Sequence, residues 1–333
     1  MDEEDLNMIQ RIKFFIWRQG PLLTTIAIFI VVYFVGSRMY PAMQKPQVFI
    51  NLFINNGSLL LVSIGMTLVI ITGGIDLSVG GVLALTTVAS AALLRGGMNP
   101  ALVIILMIVM GVIFGSALGA IIQYLKVQPF IVTLMGLFFA RGMAYIISLT
   151  SVTITDSVYK KLALSPLYIP SLQKTYVYLP TLVAPIVLLV AIYLSFFTRF
   201  GRTIYAIGNN EQSAMLMGLS VPRTKIVVYA FSGLCSALAG IVFSMSLLAG
   251  YGQFANGMEL DAIASVVMGG TSLSGGVGNV IGTLFGVLIT GTIVSIIQFN
   301  GTLSSWWTRI AVGLLTLIAI GIQSVFYIRE KHS

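Results

Sequence analysis

Charge is what this sequence has least of. Only 8% of its 333 residues are Asp, Glu, Lys or Arg, against roughly 25% in an ordinary soluble domain. That is too little to solvate a globular surface. A 57% apolar composition suits a chain whose outer face meets lipid. A lone cysteine, Cys235, excludes an internal disulfide and reads as a small buried apolar residue. The lone histidine, His332, is a tail residue, and no His/Cys cluster offers metal-ligand spacing. No G-x-x-x-x-G-K-[ST] loop occurs, so the chain does not bind ATP by that device. "GTSLSGG" (Gly270–Gly276) has neither the strand-to-helix setting nor the His partner of a nucleophile elbow. No catalytic residue is assigned, and the chain is read as no enzyme. The net charge of +8 is scattered, and nucleic acid needs a clustered basic stripe.

What is abundant is uninterrupted apolar sequence. Continuous blocks of roughly 17 to 24 residues match helices crossing ~30 Å of hydrocarbon, not the ten-residue alternation of a barrel. The clearest are Pro21–Gly36, Ala101–Tyr124, Phe130–Leu149, Thr181–Phe197, Ile226–Leu248, Gly276–Ile297 and Trp306–Ile328. Ser58–Thr72, Leu77–Leu94 and Asp261–Met268 border two glycine-rich interruptions. The expected fold is all-α: one polytopic transmembrane bundle over residues 1–333 with about ten spans, some of them broken.

Lys and Arg set the orientation. A cytoplasmic N-terminus (residues 1–20) places Arg11, Lys13, Arg18, Lys126, Arg199, Arg202, Arg223, Lys225, Arg329 and Lys331 inside. Arg38, Lys45, Arg95, Lys160, Lys161 and Lys174 then fall outside, several of them in an external loop at 150–180. An even span count puts both termini in the cytoplasm. The start "MDEEDLNMIQRIKFFIWRQG" lacks a small-residue cleavage site, so Pro21 is expected to open a retained anchor.

The interruptions echo each other. "GGIDLSVG" (Gly73–Gly80) and "GGTSLSGG" (Gly269–Gly276) share two leading glycines, Leu77/Leu273, Ser78/Ser274 and a final glycine. Glycines let a helix unwind, and serine hydroxyls satisfy the freed backbone, so Gly73, Gly74, Asp76, Ser78, Gly269, Gly270, Ser272 and Ser274 are the candidate translocation pathway or hinges. "AIIQY" (Ala120–Tyr124) against "SIIQF" (Ser295–Phe299) is a second echo at another offset, and in this topology it falls on opposite sides of the membrane. Small residues one turn apart in "GVIFG" (Gly111–Gly115) and "GNVIGTLFG" (Gly278, Gly282, Gly286) mark faces where backbones approach closely.

Asp76 and Arg141 are the ionisable residues deepest in apolar sequence, with Glu259 and Asp261 at an edge. Two structural roles are open for Asp76: an ion pair with Arg141, or a cap on the helix beginning at Leu77. A functional role is open too, as the coupling acid of an ion-driven carrier. Gln123, Asn279 and Gln298 are further polar groups along the spans.

The longest inside loop, Thr198 to Lys225, carries a compact helix signal. Asn209 or Asn210 caps, Glu211 sits in the first turn, Ser213 to Met217 follow and Gly218 stops it. Two turns are marginal alone in water, so something must hold them.

With those residues in view, the chain resembles the ribose-type permeases of ATP-binding-cassette (ABC) sugar importers. The similarity runs through "GMTLVIITGGIDLSVGG" (Gly65–Gly81), "GNNEQSAMLMGLS" (Gly208–Ser220), "SGLCSALAG" (Ser232–Gly240) and "ELDAIASVVMGGTSLSGGVG" (Glu259–Gly278). "FNGTLSSWWTRIAVGLL" (Phe299–Leu315) is most similar to the second of two paired permeases in galactofuranose-type importers. The resemblance implies a multi-pass subunit of the bacterial cytoplasmic (inner) membrane that moves a monosaccharide, galactofuranose-like or of fructose or ribose type. It implies a second permease as partner, a related paralogue or otherwise a copy of itself. It also implies an extracytoplasmic sugar-binding protein and a cytoplasmic ABC ATPase, typically a fused double cassette, that holds ATP and Mg so that this chain needs no cofactor. Glu211, Gln212, Ser213, Ala214, Met215 and Gly218 would form the helix that meets the ATPase. The competing expectations are an ion-coupled secondary transporter using Asp76 and a non-transporting membrane scaffold.

Overall fold

Proline and asparagine punctuate the apolar runs. In the computed structural model, which describes residues 20–170, 175–302 and 305–330, Pro46, Pro100 and Pro129 each open a helix at a position whose N–H would have no partner anyway. Asn99 caps one of these helices, its side chain accepting from Ala101 N at 2.9 Å. The long helices are α1 (Gly20–Met39), α2 (Pro46–Ile71), α4 (Pro100–Leu125), α5 (Pro129–Ile147), α7 (Val183–Phe197, with a 3-10 turn from Leu179), α10 (Val221–Leu247) and α12 (Val280–Asn300). Among the described residues these seven are long and apolar enough to cross a membrane. The shorter α3 (Val79–Arg95) and α11 (Met258–Met268) lie beside the two breaks, and α13 (Ser305–Glu330) follows α12. The polytopic all-α bundle with broken helices is therefore what folds. Residues 1–19, with Arg11, Lys13 and Arg18, and Lys174, Lys331 and His332 lie outside the described residues.

The helices alternate in direction, which sorts the connections onto two faces. The start of α1, the end of α2, both glycine breaks and the segment after α7 share one face. On the opposite face, α6 (Ser157–Leu164) packs on α10, Tyr159 Oη sitting 2.7 Å from Ser244 Oγ. Short strands β1 (Val152–Thr153) and β4 (Ala249–Gly250) pair there, as do β2 (Pro166–Tyr168) and β3 (Tyr176–Tyr178). Gln47, in the first turn of α2, clamps β3 by accepting from Tyr176 N at 2.9 Å and donating to Tyr176 O at 3.1 Å. The described parts of the segment read as an external loop (150–170 and 175–180) thus form a folded cap, which lies across the bundle from residues 198–225.

At the centre runs α2, buried without interruption from Gly57 to Ile71. Around it α10 and α4 cross so closely that a side chain on Gly111 or Gly115 would overlap the backbone of α10 at Gly233 and Tyr229. The same holds where Gly282 and Gly286 of α12 meet Gly269 and Ser265 at the end of α11. Both small-residue stripes expected from sequence are therefore contacts between spans of this chain, the arrangement by which membrane helices gain dispersion energy without a hydrophobic drive. The second echo also separates as its topology requires: Gln123 ends α4 on the break face, and Gln298 ends α12 on the other.

Candidate functional site

The first break begins where α2 stops. Thr72 ends the helix, Gly73 turns at φ +79°, and the backbone stays unwound to Ser78. Asp76 is buried in this stretch at 1% exposure. Its Oδ1 accepts from Ser78 N at 3.0 Å and Ser78 Oγ at 2.6 Å, and its Oδ2 accepts from Ser232 Oγ of α10 at 2.7 Å. Ser232 lies eleven residues into α10, about 16 Å from its start at 1.5 Å per residue, so the break reaches well into the bundle. Three hydrogen bonds offset the cost of burying this polar side chain.

The expected pairing of Asp76 with Arg141 does not form. Arg141 Nη1 donates to Gly252 O at 2.8 Å and Phe254 O at 3.3 Å, and Nη2 donates to Ala255 O at 3.2 Å. The reason is position: Gly136 is the α5 residue facing Ser78, and Arg141 lies five residues, about 7.5 Å, farther along the helix. Its guanidinium instead satisfies the loop that leads into α11. The helix after Asp76 also starts at Val79 with Ser78 in the capping position, so Asp76 supports that helix through Ser78 and does not cap Leu77.

The second break is tighter and ties mostly to itself. Gly270, Gly275 and Gly276 all have positive φ. Ser272 N donates to Val277 O at 2.9 Å, and Ser272 Oγ lies 2.7 Å from Ser274 Oγ. The two serines thus fold the loop, as freed backbone requires. At its start Thr25 Oγ1 of α1 donates to Met268 O at 2.6 Å.

The two breaks touch. Gly276 N donates to Ile71 O at 2.9 Å, and a Cβ on Gly275 would come within 3.0 Å of Gly73 Cα. A third element completes the contact. α8 (Arg199–Asn209) is an amphipathic helix capped by Thr198, whose Oγ1 accepts from Gly201 N at 3.2 Å. Near its end, any side chain on Gly208 would overlap Ile71 O and Gly276 N, while the Asn209 side chain lies against Gly276. Tyr205 Oη donates to Gly278 O at 2.9 Å. Burial raises the Tyr205 pKa, which keeps the hydroxyl protonated for that bond. First break, second break and α8 therefore meet in one glycine junction.

Sequence reasoning did not find α8, although the cap at Thr198 and the alternation of Arg199 and Arg202 with buried Gly201, Thr203, Ile204 and Ile207 were available. It did find the helix that follows. α9 (Glu211–Leu216) is capped by Asn210, whose Oδ1 accepts from Ser213 N at 2.8 Å. It ends as a Schellman turn: Leu219 N donates to Ala214 O at 3.1 Å, Gly218 N to Met215 O at 3.0 Å, and Gly218 has φ +76°. Ala214 is buried against Ile207 and Val221, and Glu211 Oε2 pairs with Lys225 Nζ at 2.6 Å. Met215, Leu216 and Met217 project outward, Leu216 at 90% exposure. The bundle holds α9 by one face and leaves an apolar knob on the other. Gln212 lies on the exposed side of its first turn.

Comparison with known proteins gives the family of the chain. Residues 48–320 match the model of the branched-chain amino acid transport system / permease component family. The inner membrane ABC transporter permease protein YjfF of Escherichia coli (strain K12) is 45% identical over 92% of this chain and 92% of its own. The fructose import permease protein FruG of Bifidobacterium longum (strain NCC 2705) is 36% identical over 91% of this chain and 90% of its own. The ribose import permease protein RbsC of Bacillus subtilis (strain 168) is 37% identical over 90% of this chain and 91% of its own. No solved structure matches. A buried polar break, a second break bonded to it and an outward helix mounted on both are thus carried by a chain that belongs to the branched-chain amino acid transport system / permease component family.

Proposed function

We propose that this chain is the membrane-spanning subunit of an ATP-driven monosaccharide importer of the bacterial inner membrane. The observation that carries this reading is the mounting of α9. A six-residue helix with Met215, Leu216 and Met217 in water has an apolar surface to cover, and α8 behind it abuts both breaks through Gly208. A cytoplasmic ATPase that grips the knob and moves with its nucleotide state would displace α8. The glycine junction would pass that displacement to α3 and α11. ATP and Mg belong to the ATPase, a fused double cassette, and the conduit is completed by a second permease, a paralogue or a copy. A binding protein delivers the sugar, galactofuranose-like or of the fructose or ribose type handled by the named relatives.

Selectivity then rests with the delivery protein, because a conduit that held its passenger tightly would release it slowly. The ion-coupled alternative fares worse, since both carboxyl oxygens of Asp76 are already bonded within the chain, to Ser78 and to Ser232. Reconstitution with the ATPase and binding protein in vesicles tests the reading. Sugar uptake should require ATP hydrolysis, and uptake that follows a proton gradient and ignores ATP rejects it.

A further inference from the structure

Asp261 stands where a carboxylate is least expected. It is exposed on the side of α11, and its depth follows from a contact one turn away. Ser265 Oγ lies 3.3 Å from Thr290 Oγ1, and Thr290 is the middle residue of the 21 in α12. Asp261 precedes Ser265 by four residues, about 6 Å along the helix. In a hydrocarbon layer ~30 Å thick, that is well inside. Arg309, near the start of α13, faces the same turn. A Cβ on Gly257, whose carbonyl accepts from Asp261 N at 3.2 Å, would lie 3.9 Å from Arg309 Nη2. The guanidinium also sits over the ring of exposed Trp306 at 5.3 Å.

Neither charge is spent on an ion pair: among the described residues only Lys225 and Glu211 form one. Glu259, two residues before Asp261, turns inward and is buried, so the exposure of Asp261 belongs to its face of the helix and not to a frayed end. A first helical turn favours an acid but does not hydrate it. Arg309 is long enough to snorkel toward the membrane surface, and Asp261 is not. Ionisable groups at such depth face water or protein. A face bearing both signs and an aromatic ring suits water that carries a neutral polyhydroxyl molecule, since a carboxylate accepts from adjacent hydroxyls and a guanidinium donates to them. Asp76 offers no such surface, being buried and bonded to Ser78 and Ser232. We propose that the α11–α13 face is this chain's wall of the sugar conduit. Asp261 and Arg309 contact the hydroxyls of the passing monosaccharide, and the second permease closes the opposite side. The sugar and the second wall rest on the importer reading, whereas the water in front of Asp261 rests on its depth and exposure.

The test uses the complete importer in vesicles. Leu260→Cys, 63% exposed beside Asp261, is compared with Phe138→Cys, 67% exposed in the middle of apolar α5. The parent chain, with Cys235 buried, gives the background. The probe is the cationic, water-borne thiol reagent MTSET. Leu260→Cys should react about tenfold faster than Phe138→Cys or more, because a thiol in hydrocarbon neither ionises nor meets the reagent. Adding Asp261→Asn should lower its rate with MTSET relative to the anionic reagent MTSES about threefold, since a carboxylate facing water concentrates cations. Asp261→Leu, which suits lipid, should cut the sugar moved per ATP while the unfolding midpoint holds; should that variant fold poorly, the labelling rates decide. Slow labelling at both cysteines marks lipid or a dry contact and overturns the proposal, as does an unchanged MTSET to MTSES ratio or full uptake by folded Asp261→Leu. ATP-driven uptake by the parent alongside any of these leaves the importer reading standing.

Discussion

Gly276 donates its amide to the carbonyl of Ile71 at 2.9 Å. That single bond joins the two glycine breaks, which stand almost two hundred residues apart in sequence and share one face of the bundle. Gly208 of α8 occupies the space directly over it, so the segment that leads to the exposed knob cannot shift without disturbing both breaks.

Gly208→Ala should therefore be costly out of proportion to one methyl group. The new Cβ overlaps backbone at Ile71 and Gly276 and not the end of a flexible side chain. Overpacking of this kind costs about 1–3 kcal/mol. Thermal unfolding in detergent should fall by several degrees, and the sugar moved per ATP should fall with it. An unchanged midpoint and unchanged stoichiometry would remove the junction from the mechanism.

Gly218→Val isolates backbone geometry from packing. Nothing lies within 4 Å of a Cβ there, yet φ is +76°, and a β-branched residue in the left-handed region pays about 1–2 kcal/mol in strain. The Schellman turn should loosen, α9 should lose its fixed pose, and ATP hydrolysis should uncouple from uptake while insertion stays normal. Gly218→Asn, which tolerates that region, should stay close to the parent. Equal behaviour of the two variants would contradict the assigned helix end.

At Asp76 the expected order of effects follows from its donors. Asp76→Ala leaves Ser78 N and Ser232 Oγ without their acceptor, at about 1–3 kcal/mol for each buried group. Asp76→Asn keeps an acceptor for Ser78, so its loss should be smaller, and ATP-driven uptake should survive it. If Asp76→Asn abolished uptake while folding normally, the carboxylate would have a role beyond holding the break.

Tyr159 gives the far-side cap a pH signature. Burial pushes its pKa up to about 12, above the value near 10 of an unfolded tyrosine. Its contribution is then complete below pH 10 and is lost as pH rises toward 12. Tyr159→Phe should lower the unfolding midpoint at pH 8, where the bond to Ser244 is intact, and should flatten the alkaline decline. Parallel curves for parent and variant would place the alkaline loss elsewhere.

How much of this was legible in the sequence depended on whether the signal was local. Apolar runs marked the spans, but Pro46, Pro100 and Pro129 were not read as their starts. α9 was readable because its cap, first-turn acid and stop glycine lie within nine residues. α2 was foreseen only from Ser58, because Asn51, Asn55 and Asn56 interrupt its apolar pattern. In the structure it starts at Pro46, with Asn56 Nδ2 donating to Leu52 O at 2.8 Å and Gln47 Nε2 to Asn51 Oδ1 at 2.8 Å. The repeat was visible, but likeness carries no distance, so the bond between the breaks was not. The Asp76–Arg141 pair failed for a related reason: scarcity of charge suggests partners, and only helix register decides whether they reach each other.

The most direct measurement of the central claim is the sidedness and protection of Leu216. A Leu216→Cys chain should react with a membrane-impermeant maleimide in inside-out vesicles and not in intact cells, and the ATPase subunit should block the reaction when bound. Labelling of that cysteine in intact cells, or labelling indifferent to the ATPase, would contradict a knob on α9 that receives its drive from the cytoplasm.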